Sequence, residues 1–184
     1  MAEQSKMVAL GSRAPDFALP DTVSGRSVKL ADFSEAPALL VAFLCNHCPY
    51  VKHVLDGFVT FAREYGPRGL AVVAISANDA QAYADDAPPE MAKLARAKQF
   101  PFPYLYDESQ AIAAAYDAVC TPDFYLFDRN RRLAYRGQFD SSRPRSAEAV
   151  TGADLRAAAD AVLQGRPPSN DQIPSVGCSI KWRR

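Results

Sequence analysis

Leu39-Leu40-Val41-Ala42-Phe43-Leu44 is apolar at every position and has the length of a strand. Such a run fits a strand covered on both faces, because a strand with one face in water alternates polar and apolar residues. A helix is expected directly after it. Pro49 suits the first helical position, where its missing N–H costs nothing. Val51, Val54, Leu55, Phe58, Phe61, Ala62 and Tyr65 then recur at helical spacing until Gly66-Pro67 stops the run. Leu70 to Ile75 reads as a second buried strand, which makes a β-α-β unit with a parallel pair.

The remaining elements follow from similar signals. Turn chemistry at Asp21 to Arg26, followed by Ser27-Val28-Lys29-Leu30, predicts an N-terminal hairpin. Helices are expected over Asp86 to Gln99 and Ser109 to Val119, with a short strand at Tyr104-Leu105-Tyr106 between them. Phe124 to Phe127 and Leu133 to Gly137 flank a polar turn and predict an antiparallel hairpin. Thr151 is placed to cap a last helix through Leu163, ended by Gly165. The expected fold class is α/β, in three layers: a mixed central sheet with helices on both faces. One domain spans residues 1–184, with an N-terminal arm over 1–10 and an aperiodic C-terminal tail over 166–184.

Composition narrows the function. The chain has 184 residues, with 21 basic and 21 acidic side chains and no net charge. A general nucleic-acid or anionic-membrane binder carries a basic excess, so neither partner is expected. No apolar run reaches the ~20 residues that span a bilayer. No apolar leader follows Met-Ala-Glu-Gln-Ser-Lys, so the expected compartment is the cytoplasm. No P-loop or dinucleotide glycine fingerprint appears, and no cofactor is expected. Four cysteines are too few for a disulfide scaffold in a chain of this size.

Their positions carry the chemistry. Cys45-Asn46-His47-Cys48-Pro49 puts two thiols where the buried strand passes into the helix. A Cys-x-x-Cys near a β-α-β unit is a redox signature, because free amides at a helix start stabilise the thiolate that acts as nucleophile. With Pro49 as the first helical residue, Cys48 becomes the N-cap and its sulfur can face those amides. Starting the helix at Cys45 would bury Pro49 about one turn inside, at a cost of ~3 kcal/mol. Cys48 is therefore the expected attacking thiol and Cys45 its nearest partner. His47, when protonated, would favour the thiolate. A metal site built from Cys45, Cys48, Cys120 and Cys178 with His47 is disfavoured, because Cys120 and Cys178 do not form a second compact pair.

Val119-Cys120-Thr121-Pro122-Asp123 leads into the later hairpin. A strand–Cys–helix junction with a distant Thr-Pro before a strand resembles the thioredoxin superfamily. The opening Gly11 to Phe17 resembles its redoxin and peroxiredoxin branch. Cys45-Asn46-His47-Cys48-Pro49-Tyr50-Val51-Lys52 and the tail Gly177-Cys178-Ser179-Ile180-Lys181-Trp182 are similar to a bacterial, AhpC/TSA-related subgroup of redoxins. The resemblance implies a thioredoxin-like fold with a cis Pro122 beside the active-site sulfurs. It also implies that Thr121 and Pro122 shape a substrate groove whose backbone can pair with a substrate strand. Where most thioredoxins carry a second cysteine on the helix, this chain has Val51. Cys45 or Cys178 is then the resolving thiol, and Cys120 a further thiol near the loop. The implied function is that of a thiol-disulfide oxidoreductase, acting on a protein or small-molecule disulfide and recharged by a separate reductant. The alternatives are a peroxide-reducing enzyme and a non-catalytic thiol-based metal or redox sensor.

Overall fold

The computed structural model describes residues 2–183. In chain order it contains β1 (Ala2–Gln4), β2 (Ala18–Pro20), β3 (Ser27–Lys29), β4 (Ala38–Phe43), α1 (Pro49–Tyr65), β5 (Leu70–Ser76), α2 (Pro88–Ala97) and β6 (Tyr104–Tyr106). After these come α3 (Ala111–Ala115), β7 (Cys120–Thr121), β8 (Asp123–Phe127), β9 (Leu133–Gly137), α4 (Ala153–Leu163) and β10 (Val176–Ser179). The central sheet has the order β6-β5-β4-β8-β9. Strands β4, β5 and β6 run parallel, while β8 and β9 are antiparallel to their neighbours. The sheet is therefore mixed, as expected.

The apolar run is the middle strand, and every residue of β4 is fully buried. Its two faces meet different cores. Leu40 and Ala42 pack with Val51, Phe58 and Phe61 of α1, Met91 of α2 and Leu155 of α4. Leu39, Val41 and Phe43 pack with Phe17, Leu19 and Tyr116, beside Ala113 of α3. Three helices cover one face. The short α3 and the N-terminal segment cover the other. The fold is thioredoxin-like.

Three sequence expectations need correction. The helix expected over Ser109 to Val119 is only α3, because Gln110 and Asp117 at its two ends sit at left-handed φ of 64° and 56°. Its start is tied down by the Asp107 carboxylate, which accepts the amides of Ile112 and Ala113 at 2.9 Å each. The helix expected from Asp86 begins at Pro88, since Asp86 closes a separate 3-10 turn over Ala84–Asp86. Thr151 is not the N-cap of α4. Gly152 holds that position at φ 68°, where a Cβ would lie 2.5 Å from the Phe139 ring. Asp140 accepts the Thr151 and Gly152 amides at 2.7 and 2.6 Å.

The tail differs most. Instead of an aperiodic extension it contributes β10, the middle strand of a second sheet ordered β1-β10-β7. Its length and polarity hid it. Four residues of mixed character give no period, and the pairing partners are 57 and more residues away in the chain.

Phe58 links α1 to the sheet, with ring centroids 5.3 Å from Phe102 and Phe124 and 6.1 Å from Phe139. Phe58→Ala is expected to lower unfolding free energy by about 3–5 kcal/mol in urea titrations, the cost of a large buried aromatic plus its cavity. A loss under ~1 kcal/mol would contradict this packing.

Candidate active site

β4 delivers the chain into a four-residue loop, Leu44 to His47, and α1 begins at Pro49 with Cys48 as its N-cap. The helix thus starts in the register that Pro49 demands. Cys48 and Cys45 are both fully buried and both free thiols. Thr121 joins them from the far side of the fold. Its carbonyl accepts the Cys48 thiol at 3.2 Å, and its hydroxyl lies 3.1 Å from Cys45 Sγ. The Thr121-Pro122 peptide bond is cis. Across from Thr121 in the small sheet stands Cys178. Cys45, Cys48, Thr121, Pro122 and Cys178, far apart in sequence, thus share one site.

The two cysteines of the loop are driven in opposite directions. The Cys48 thiol is held well below the ordinary thiol value. The leading cause is hydrogen bonding with the Cys45 side chain, followed among the favourable causes by the Cys178 side chain and then the Val51 and Cys178 amides, all against the cost of burial. Cys45 moves the other way, because its proton is held on the Cys48 sulfur and because it is buried. Cys178 is pushed up to about 11 by burial and by the same neighbour. The proton is thus released most readily from Cys48, and its two neighbours hold theirs more firmly.

The helix start and the neighbouring thiols both bear on Cys48. The helix start was expected to supply the main donors, but Cys48 makes no side-chain capping hydrogen bond. The helix contributes one amide, from Val51, as a lesser cause.

His47 points to a different group. Its Nδ1 lies 2.5 Å from Asp86 Oδ2, and its ring stacks on Tyr83 at 5.2 Å. It is not among the leading groups that favour the Cys48 thiolate. Asp86, fully buried, also accepts the Asn46 amide at 2.7 Å, the His47 amide at 3.2 Å and Asn78 Nδ2 at 2.7 Å. This carboxylate therefore holds the two middle residues of the Cys-x-x-Cys loop, since a buried acceptor must find donors for its lone pairs. Asp86 was not recognised in the sequence, where it stands 38 residues from Cys48 among other acids. The one available signal was an acid buried inside an alanine- and proline-rich segment. Cys120 is fully buried, and burial pushes its thiol upward.

Asp123 was also missed. It follows Pro122 directly, is fully buried, accepts the Phe124 amide and the Tyr125 hydroxyl, and is pushed up to about 7 by burial. The ligand atoms of Cys45, His47 and Asp86 lie within 4.8 Å of one another. Each Asp86 oxygen already accepts two hydrogen bonds, however, so the donor set is engaged within the protein.

Residues 10–136, more than half of the chain, match the AhpC/TSA family. The chain belongs to that family. Its redoxin character goes with that membership. A conserved protein of Geobacillus kaustophilus is 51% identical over 100% of this chain and 97% of its own, with a TM-score of 0.97. A hypothetical protein of Sinorhizobium meliloti is 52% identical over 98% of each chain, with a TM-score of 0.96. The thioredoxin domain of a thiol-disulfide oxidoreductase from Bacteroides vulgatus shares the fold at 17% identity, covering 81% of this chain and 96% of its own, with a TM-score of 0.61. No curated protein matches the chain. Among the described residues no helix is long and apolar enough to cross a membrane.

The thiolate can be read by ultraviolet absorbance, taken as the difference between the native chain and Cys48→Ser. The signal is expected to persist well below the ~8.5 of an ordinary thiol. Cys45→Ala, which removes the main donor, should move the midpoint upward. Because the folded value lies below the unfolded one, the ionised sulfur stabilises the reduced fold above ~8.5, and that contribution is lost as pH falls through the folded value. A native midpoint near 8.5 would rule out the arrangement.

Proposed function

We propose that this redoxin is a thiol-disulfide oxidoreductase in which Cys48 is the attacking sulfur and Cys45 the resolving one. The observation that carries this reading is the asymmetry of the pair: Cys48 is lowered by a hydrogen bond from Cys45, which keeps its own proton. The thiolate is the nucleophile in disulfide exchange. Cys48 attacks one sulfur of a substrate disulfide, a Cys48–substrate bond forms, and the other substrate sulfur leaves and takes up a proton. Cys45 then loses its proton and attacks Cys48 Sγ. The Cys45–Cys48 disulfide forms, and the substrate departs with both sulfurs reduced. A separate dithiol reductant returns the pair to its starting state.

Thr121 borders both sulfurs: its hydroxyl lies against Cys45, and its carbonyl accepts the Cys48 thiol while that sulfur is still protonated. Cys178 also borders Cys48, but it is carried on the tail, whereas Cys45 is fixed by the loop that Asp86 organises. His47 tunes the loop through Asp86 rather than by direct contact with the sulfur. Family membership favours a second reading in which Cys48 takes an oxygen atom from a hydroperoxide, giving a sulfenic acid and an alcohol or water. Among the described residues no arginine hydrogen-bonds Cys48, so the disulfide reading stands first.

In insulin-disulfide reduction, Cys48→Ser is expected to fall to the uncatalysed level. Cys45→Ser should still attack but accumulate a covalent Cys48–substrate adduct visible by mass. Mass mapping of the oxidised protein should find Cys45 joined to Cys48. Full activity in Cys48→Ser with loss in Cys45→Ser would reverse the roles, and hydrogen-peroxide consumption through a Cys48 sulfenic acid would favour the second reading.

A further inference from the structure

Cys48 is 0% exposed, so no disulfide of any size meets it while the chain holds this conformation. Among the groups against Cys48 are the side chain and amide of Cys178, carried on β10. This strand runs antiparallel to β7, with Cys178 opposite Thr121 and Ser179 opposite Cys120, and packs against α1. Its other edge is taken by β1, with Ala2 opposite Cys178. Beyond the strand, Ile180 is buried and donates its amide to Val119 O at 2.8 Å, and Lys181 donates its amide to Asn78 Oδ1 at 2.8 Å. At the other end the Ser175 amide donates to Ser5 Oγ at 2.9 Å.

Gly177 shows how tight the fit is. A Cβ at this position would lie 1.9 Å from Thr121 O, 2.5 Å from Thr121 C and 3.1 Å from Pro122 N. These are backbone atoms, which cannot swing aside as a side-chain tip can. The need for glycine here is one of close approach between two backbones. The next residue brings a thiol to the edge of the Cys48 site. A strand laid on β7 therefore presents glycine against Thr121-Pro122 and cysteine toward the attacking sulfur.

We propose that the Cys120–Thr121 edge is a docking surface for an extended polypeptide strand bearing a Gly-Cys pair, that the chain's own Val176-Gly177-Cys178-Ser179 is its resident occupant, and that this strand must lift away before a protein disulfide reaches Cys48. The inference rests on Cys48 being the attacking sulfur, and it names both the substrate class and the gate. Main-chain pairing supplies the hold on such a strand, and the glycine requirement supplies the selection. While the strand is away, Cys45 stays on Thr121 and remains available to resolve the mixed disulfide.

The test compares the full-length native chain with Gly177→Ala, following iodoacetamide labelling of Cys48 by mass mapping and tail opening by amide hydrogen exchange. The native chain should label slowly. Gly177→Ala should label about tenfold or more faster, the scale expected from overpacking a tight contact. Exchange should rise over residues 176–180 and remain unchanged in β4 and α1. Ile180→Ser, which unseats the tail from its buried anchor, serves as a second route to the open state. A synthetic peptide of residues 174–182 with serine in place of Cys178 should restore protection to the Gly177→Ala chain, and the same peptide with alanine in place of Gly177 should not. Native labelling rates in both variants, or equal protection by the two peptides, would overturn the proposal. Faster labelling without insulin reduction in any chain would leave the gated strand standing and remove the oxidoreductase reading. Insulin reduction that depends on Cys48, with labelling indifferent to both tail variants, would do the reverse.

Discussion

Thr121 bears three contacts on which the site depends. Its carbonyl accepts the Cys48 thiol, its hydroxyl meets Cys45, and its backbone pairs with the strand that carries Cys178. This residue sits 73 positions after Cys48 yet packs against it, and so brings the strand with Cys178 to the two thiols of the loop. Burial then sharpens the chemistry. In a site from which water is excluded, a thiolate must be stabilised by protein donors, and the nearest donors are other thiols. Cys48 is the sulfur that gives up its proton most readily, and its neighbours hold theirs more firmly.

The loop that holds this arrangement is organised from below by a carboxylate. Asp86 accepts the amides of Asn46 and His47, the His47 ring nitrogen and the Asn78 amide group. Asn78 in turn accepts the Lys181 amide. A continuous polar path therefore runs from the Cys-x-x-Cys loop to the tail. The two features are held by one network, and each buried group in it depends on the others for its hydrogen bonds.

The sheet supplies the rigid platform. A central strand covered on both faces cannot shift without opening both cores, so the point where it releases the chain into the loop is well defined. The tail strand is different. It is short, has mixed burial and joins a three-stranded sheet whose outer member, β1, is exposed. The site thus sets a buried Cys48, held by the platform, beside a strand drawn from a smaller, less buried unit.

The residues alone determined the central strand, the helix register and the place of Cys48 at the start of the helix. These follow from local chemistry: an unbroken apolar run, a helical period, and a proline tolerated only at a helix start. The pairing of Thr121-Pro122 with the cysteines was legible through the family pattern. Four features came only with the tertiary structure. The shortening of α3 needed the Asp107 cap and two left-handed residues. The role of Asp86 needed the loop folded over it. The tail strand needed both of its distant partners. The surroundings of Cys48 needed Cys45, Thr121 and Cys178 placed together, with no side-chain cap on the helix itself. Local sequence encodes what a segment prefers to form, whereas hydrogen bonds across tens of residues arise only when the fold brings their ends to one place.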